Sequence, residues 1–309
     1  MRLLVIGNCQ QTPLWSILNG SGVDIQRAVK PIHQITPAEA EGLRETASGV
    51  DGVIMQSNTA KKYKEMGLDT VSVKGVNRNV CVIPNIHCGI YHPTFISASD
   101  FVSNNDSPLI ALINKCGFGL HFDCLQLAAY DFGVNGFCLT RLLSQDVSIN
   151  SDFVDEALSM LSYRESGCDV TISDWISNNY KADYLFYTFN HPANVVILEL
   201  CKRILRYFNI EAEVNCRLTP YLSNYRFPIY KFIMKSLGFD RPPSFPFGGG
   251  ENDHKMLIKV DQYSHIDPSY DVILHLVLNN PTLLDSLRLK PQYKRAQNVI
   301  AELTAMAGG

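Results

Sequence analysis

The sequence predicts an α/β chain, with a Rossmann-like, doubly wound parallel sheet in the N-terminal part and a mainly helical C-terminal part. Two observations carry this. Up to about residue 110, short apolar runs closed by polar residues or glycine alternate with helical stretches at intervals of roughly thirty residues, the rhythm of parallel βαβ units. Beyond that point the apolar spacing lengthens to the helical period. The division expected from this change is an α/β unit over residues 1–115, carrying Cys9, followed by a mainly helical region over residues 116–309 that contributes His191.

Residues 2–7 (Arg-Leu-Leu-Val-Ile-Gly) form a largely apolar run that ends in Gly7 and reads as the first strand. From Gln10 to Leu18 the pattern turns helical, with Leu14, Ile17 and Leu18 on one face and Gly20 following. Val23 to Val29 reads as a second short strand. Thr36 to Thr46 reads as a helix with Thr36 as its cap and Pro37 in its first position. Gly52 to Gln56 is a buried strand, Lys61 to Met66 a helix, and Val80 to Pro84 an apolar strand stopped by proline. Further on, Ser151 caps a helix with Phe153, Val154, Ala157, Leu158 and Leu161 on one stripe. Pro192 opens another, whose Ile197, Leu200, Cys201, Ile204, Leu205 and Phe208 keep the helical rhythm. Gly238 to Gly250 is a proline- and glycine-rich loop, and a helical tail closes the chain.

Composition removes several function classes. The 309 residues are 46% hydrophobic and 18% charged, so the chain folds. A formal net charge of -3 supplies no basic surplus for a protein that lives on phosphate-backbone attraction, and nucleic acid is not an expected partner. A membrane span needs about 18 consecutive apolar residues. The densest stretches, Leu3 to Ile6, Val195 to Leu200 and Val272 to Leu278, are short or broken by Glu199 and His275. The N-terminus meets polar Asn8 too early for a signal peptide. Nine scattered cysteines without a C-x-x-C pair argue against a disulfide scaffold or a zinc ribbon, and a reducing cytoplasm is the expected compartment.

Ligands of open parallel sheets gather at the carboxyl ends of the strands. Three strand exits here are polar: Gly7 to Gln11, Gln56 to Thr59, and Asn85 to Pro93. Cys9 falls where a strand bends into a helix, a place that favours thiolate over thiol and suits a nucleophile. The alternative is a small side chain packed in a tight turn with Asn8 as cap. Asn8 and Gln10 beside it are hydrogen-bonding residues with no evident packing purpose. His191, just before Pro192 at a helix start, would be held neutral and could accept a proton, or it could only help cap the helix. His92, just before Pro93, competes for the same role. Cys81, His87, Cys88 and His92 are the right types for metal ligands, but their spacing matches no zinc module, and no metal is expected. Lys62 and Lys64 follow a strand exit and could meet an anionic ligand; Arg78 is a further cation for that purpose. Gly117-Phe118-Gly119 lacks the third glycine of a dinucleotide fingerprint, and Gly248 to Gly250 reads as a surface turn.

Taken in order, Gly7-Asn8-Cys9-Gln10, Gln56, Ile83-Pro84-Asn85 leading to Gly89-Ile90-Tyr91-His92-Pro93, and Phe189-Asn190-His191-Pro192 resemble the WcbI-type polysaccharide biosynthesis proteins. The resemblance covers roughly the first two hundred residues. It implies a coenzyme A-binding acetyltransferase of capsule or surface-polysaccharide assembly, with acetyl-coenzyme A as donor, a sugar hydroxyl as acceptor and capsule-assembly proteins as partners. The topology it implies is similar to SGNH esterases and acetyltransferases, with Cys9 in the place of the serine. Cys9 would then attack the thioester and His191 or His92 would deprotonate the sugar. Asn8, Gln56 and the amides of Cys9 and Gln10 would hold the oxyanion. The family's aromatic-Arg element is replaced here by Tyr63-Lys64, which keeps the charge but loses the bidentate fork. Ile90 is inserted between Gly89 and Tyr91. A glycan deacylase using the same cysteine, or a non-catalytic assembly protein, are the alternative readings.

Overall fold

The structure is a computed structural model that describes residues 1–97, 121–143, 145, 147–215, 221–222, 229–239, 274 and 277–307. The two glycine-rich stretches at 117–119 and 248–250 lie outside the described residues, as does most of the Gly238 to Gly250 loop. The chain forms two compact units. The first takes its described residues from Met1–Cys88 and Leu158–Asn224, the second from Gly89–Ala157, Tyr225–Pro243 and Gly249–Gly309. This differs from the sequential cut expected after residue 115. The chain leaves the sheet unit at Cys88 and re-enters it at Leu158, because a parallel sheet is stable only with both faces covered and part of that cover comes from the later helices.

The first unit is built on four parallel strands, β1 (Leu3–Ile6), β2 (Ile25–Arg27), β3 (Gly52–Gln56) and β4 (Val80–Ile83), in the order β2-β1-β3-β4. Leu3 stands opposite both Ile25 and Gly52, and Val53 opposite Val80. Every residue of β1, β3 and β4 is buried, as a strand covered on both faces requires. Alternation divides them between the faces. Leu4, Ile6, Val53, Met55, Val80 and Val82 join Ala40, Leu43 and Ala47 of α2 (Pro37–Ser48) in one apolar cluster. On the other face, Gly52 makes room for a ring: a Cβ there would lie 2.8 Å from a Phe208 ring carbon. Helix α1 (Gln11–Gly20) buries Leu14, Ile17 and Leu18 and packs on the later helix α9 (Asn194–Tyr207).

The α2 start agrees with expectation. Glu39 accepts hydrogen bonds from the Thr36 amide (2.9 Å) and hydroxyl (2.9 Å), with Pro37 at the first helical position. Hydrogen bonding from Lys30 (2.6 Å), reinforced by Thr36, holds the Glu39 carboxyl down to about 2. A carboxyl depressed in the folded state stabilises above its ordinary pKa, and that contribution is lost as the pH falls through the folded value. Glu39→Gln is therefore expected to be less stable than the wild type at pH 6 and to converge with it near pH 2, measured as melting temperature against pH.

Helix α3 (Lys61–Glu65) follows β3, and α4 (Thr70–Val76) follows it. Sequence reading missed α4, whose three valines and one glycine are poor helix formers. Asp69 supplies the start, accepting from the amides of Val71 (3.1 Å) and Ser72 (3.4 Å), and Val73 anchors the helix in the α2-side cluster.

After re-entry, α7 (Asp152–Glu165), which spans the boundary between the units, leads to α8 (Ser173–Asn179). The buried Glu165 takes the amides of Ile172 (2.7 Å) and Ser173 (3.1 Å) at the α8 start. A small antiparallel pair, β7 (Phe186–Thr188) and β8 (His191–Pro192), then feeds α9 (Asn194–Tyr207). Its buried stripe includes the expected Ile197, Leu200, Cys201, Ile204 and Leu205. The helix opens at Asn194 after Ala193, whereas Pro192 was expected to open it; Pro192 is taken up in the β7–β8 pairing opposite Phe186.

The second unit pairs β5 (Phe95–Ser97) antiparallel with β6 (His121–Asp123) and adds α5 (Cys124–Asp131), α6 (Gly136–Leu143), α10 (Lys231–Ser236), α11 (Pro281–Arg288) and α12 (Pro291–Ala307). Helix α12 packs along α5. Asp123 is buried at the α5 start, where Thr94, Tyr230 and the Leu125 amide donate to it. Among the described residues no helix is long and apolar enough to cross a membrane.

Candidate functional site

The order β2-β1-β3-β4 places a switch point between β1 and β3. The chain leaves β1 through α1 toward one face, while α2, which links β2 to β3, covers the other. Neighbouring exits diverge there and leave a crevice at the carboxyl ends of the strands. The residues that rim it are Gly7 to Gln10 after β1 and Gln56 at the end of β3.

A closed set of hydrogen bonds shapes that rim. Gln56 Oε1 accepts from the Asn8 amide across the two strand ends (2.6 Å). Gly7 permits this approach, since a Cβ on it would stand 2.7 Å from the same oxygen. Asn8 closes the turn with its own groups: its carbonyl accepts from the Gln11 amide (3.0 Å) and its side-chain Oδ1 from the Gln10 amide (2.9 Å). Gln10, only 1% exposed, is the hub. Its Oε1 accepts from Gln56 Nε2 (2.9 Å) and the Ile86 amide (3.3 Å), and its Nε2 donates to the carbonyls of Ile86 (2.8 Å) and Asn190 (3.1 Å). Asn8 Nδ2 donates to Asn85 Oδ1 (2.9 Å). One side chain thus ties the exit of β1 to the exits of β3 and β4 and to the β7–β8 turn.

This corrects two expectations. The polar residues beside Cys9 do have a packing purpose, because buried amides must find partners. Gln10, Gln56 and the Asn8 amide group spend their donors inside the protein, so they position the turn. The second correction concerns Cys9, which is half-buried at the head of α1. Burial pushes its thiol pKa above the usual value, and the backbone amides of Cys9 and Gln10, which lower it, do not overcome that effect. The helix start does not yield a resting thiolate.

His191 lies in the same unit, one residue after the Asn190 carbonyl that Gln10 holds. Asn190 is itself fixed by a hydrogen bond from Thr188 Oγ1 (2.7 Å). With α9 beginning at Asn194, His191 stands ahead of the helix in β8, so the dipole argument for a neutral ring weakens; that field is concentrated in the first turn. His92 belongs to the second unit. It is buried, with its ring edge-on to Tyr91 (6.4 Å) and Phe95 (5.5 Å).

Lys62 and Lys64 are exposed on α3, beyond the β3 exit, with Lys62 over the Tyr63 ring (4.7 Å). Arg78 is not brought to this end. It precedes β4, so in a parallel sheet it lies at the amino edge, and a four-residue strand spans about 13 Å. Cys81 is sealed in β4, where burial pushes its thiol up to about 12. Among the described residues no three His, Cys, Asp or Glu side chains gather as a metal site.

The structure adds residues that sequence reading did not assign. Asn85 and Ile86 bind the Cys9 turn, and His87 follows, its ring stacked on Phe189 (4.6 Å) and its carbonyl held by Arg164 (2.5 Å). The Cys88 amide donates to the Phe189 carbonyl (2.7 Å), closing the connection to the hairpin. The polar composition of this strand exit was visible; that its main chain serves the turn was not.

Comparison with known proteins agrees with this architecture. A family model described as "Polysaccharide biosynthesis enzyme WcbI" matches residues 2–213. A solved structure of WcbI, described as a novel polysaccharide biosynthesis enzyme in its native form without a disulfide bond between coenzyme A and a cysteine, superposes with a TM-score of 0.62 at 19% identity. The match covers 93% of this chain and 98% of that one. No curated protein matches the sequence.

Proposed function

The chain belongs to the WcbI family of polysaccharide biosynthesis enzymes, and on that premise we propose that it is a coenzyme A-dependent acyltransferase, moving an acetyl group from acetyl-coenzyme A to a sugar hydroxyl. The observation that carries this reading is the hydrogen-bonded turn that holds Cys9 at the switch point of the sheet, with two main-chain amides facing its sulfur. The WcbI structure is described as the native protein without a disulfide bond between coenzyme A and a cysteine, which names the two groups as potential partners. That supports a thiol-bearing cofactor meeting a cysteine in this family.

Because burial holds Cys9 as a thiol, the reaction needs a base. His191 is assigned that role, being carried on the segment that Gln10 ties to the turn. Cys9 passes its proton to the imidazole as Sγ bonds to the thioester carbonyl carbon, and the Cys9 amide stabilises the oxyanion. Collapse breaks the bond to the coenzyme A sulfur, which takes the proton from the imidazolium. The sugar hydroxyl then gives its proton to the same ring and attacks the acyl carbon, and Cys9 leaves as thiolate and is reprotonated. Asn8, Gln10 and Gln56 keep this geometry. The pathway assigned is capsule or other surface-polysaccharide assembly.

Coenzyme A at millimolar concentration is expected to raise the melting temperature by a few degrees, since a ligand that binds only the native state must stabilise it. Absence of any shift would remove the cofactor and leave a glycan deacylase, with water in place of the sugar, as the reading of the same cysteine.

A further inference from the structure

We propose that His87 is a positioning residue for the base, fixing the place of His191 through the stack of its own ring on Phe189. This rests on the reading of the Cys9 turn as the acyl-transfer centre, and it deepens that reading by naming what sets the imidazole in place relative to the thiol.

His191 is carried by a very small element. β7 has three residues and β8 two, with an irregular register between Phe186 and Thr188. An isolated two-stranded pair is marginal on its own, so neighbours must set where its turn lies. At the tip, Gln10 Nε2 holds the Asn190 carbonyl (3.1 Å) and the Cys88 amide holds the Phe189 carbonyl (2.7 Å). Both ties lie along the main chain of two consecutive residues, which leaves a tilt of the tip about that line open. A third contact, away from the line, stops the tilt. His87 makes it: its ring lies over the buried Phe189 ring with centroids 4.6 Å apart and planes 29° from parallel.

The His87 ring stands on a fixed support. Before it, Gln10 grips the Ile86 amide (3.3 Å) and carbonyl (2.8 Å); the His87 carbonyl accepts from Arg164 of α7 (2.5 Å), and the Cys88 amide is spent on Phe189. Three consecutive residues are thus anchored in the main chain. Gln10 Nε2 joins the carbonyls of Ile86 and Asn190, the residues immediately before His87 and His191, so both imidazoles ride on segments that share one clamp next to Cys9. Stacked rings at this spacing attract. A displacement of about 1 Å at a reacting group is enough to cost on the order of a hundredfold in rate, so a contact that blocks a small tilt has leverage on the reaction.

The test uses the full chain as wild type, His87→Leu and His87→Phe, and His87→Leu combined with His191→Ala beside His191→Ala alone. Acylation of Cys9 by acetyl-coenzyme A is followed by mass spectrometry under single-turnover conditions, and the His191 ring is observed by NMR without ligand. His87→Leu loses the stack and is expected to slow acylation about tenfold, with the half-saturating acetyl-coenzyme A concentration unchanged and the His191 ring resonances displaced. His87→Phe keeps the stack without the ring nitrogens and is expected to restore both rate and resonances. With His191→Ala, assayed at alkaline pH where the thiolate forms without a base, His87→Leu is expected to cost nothing further, because a residue that acts through another has no effect once that other is gone. Equal losses in His87→Leu and His87→Phe overturn the proposal and make the imidazole itself a participant. Resonances and rate unmoved by His87→Leu, or a loss that persists without His191, also overturn it. A wild type that takes no acyl group, with resonances that move in His87→Leu and return in His87→Phe, keeps the positioning and sinks the acyl-transfer reading instead.

Discussion

Cys9→Ser is expected to remove the acyl adduct that forms when the protein is mixed with acetyl-coenzyme A, and to lower turnover by on the order of a thousandfold or more. The adduct is read by intact-protein mass spectrometry under single-turnover conditions. A serine hydroxyl is a far weaker nucleophile than a thiol near neutral pH, and no resting charge compensates, because the site already holds its thiol above the usual pKa by burial. The same shift sets the pH behaviour without cofactor. The thiolate population grows only as the pH rises through the elevated pKa, so alkylation of Cys9 by iodoacetamide, followed by peptide mapping, is expected to climb through and above pH 9. An active Cys9→Ser variant with no wild-type adduct would show direct transfer, with the imidazole activating the sugar and Cys9 only shaping the pocket.

Gln10→Leu carries the second large effect, here on stability: a loss of about 3 kcal/mol in urea unfolding is expected. The substitution keeps most of the volume but strands four partners at once, Gln56 Nε2, the Ile86 amide and the carbonyls of Ile86 and Asn190. Those lying out of water lose hydrogen bonds that solvent cannot replace. Because the same side chain joins four segments of the first unit, the loss of stability is expected to come with weaker coenzyme A binding. A variant within about 0.5 kcal/mol of wild type, the range of ordinary surface substitutions, would mean that the amide network does not hold the turn.

Much of the first unit was legible in the residues themselves. The β3 run needs only its buried apolar pattern, and α2 needs only Thr36, Pro37 and Glu39 at their spacing. Both signals are local, so neighbours in sequence suffice to produce them. Where sequence reading failed, a distant partner decided the outcome. Helix α4 has a local cap in Asp69, but its unfavourable residues hold a helix because Val73 finds the cluster under the sheet. Pro192 joins a strand pair because Phe186 is there to receive it. Arg78 and Lys62 are equivalent as charges, but strand direction sends one to the amino edge and the other to the carboxyl edge.

The candidate site divides along the same line. The sequence by itself determined that a cysteine would stand at the first strand exit, among amide side chains, in an α/β chain of this family. Only the tertiary structure decided what those groups do. Gln10, Gln56 and Asn8 meet partners up to 180 residues away and become the frame of the turn, and the environment of Cys9 leaves it a thiol. The reason is physical. Propensity and periodicity act over a few residues, whereas desolvation and the satisfaction of buried amides depend on which remote segments arrive at the same point.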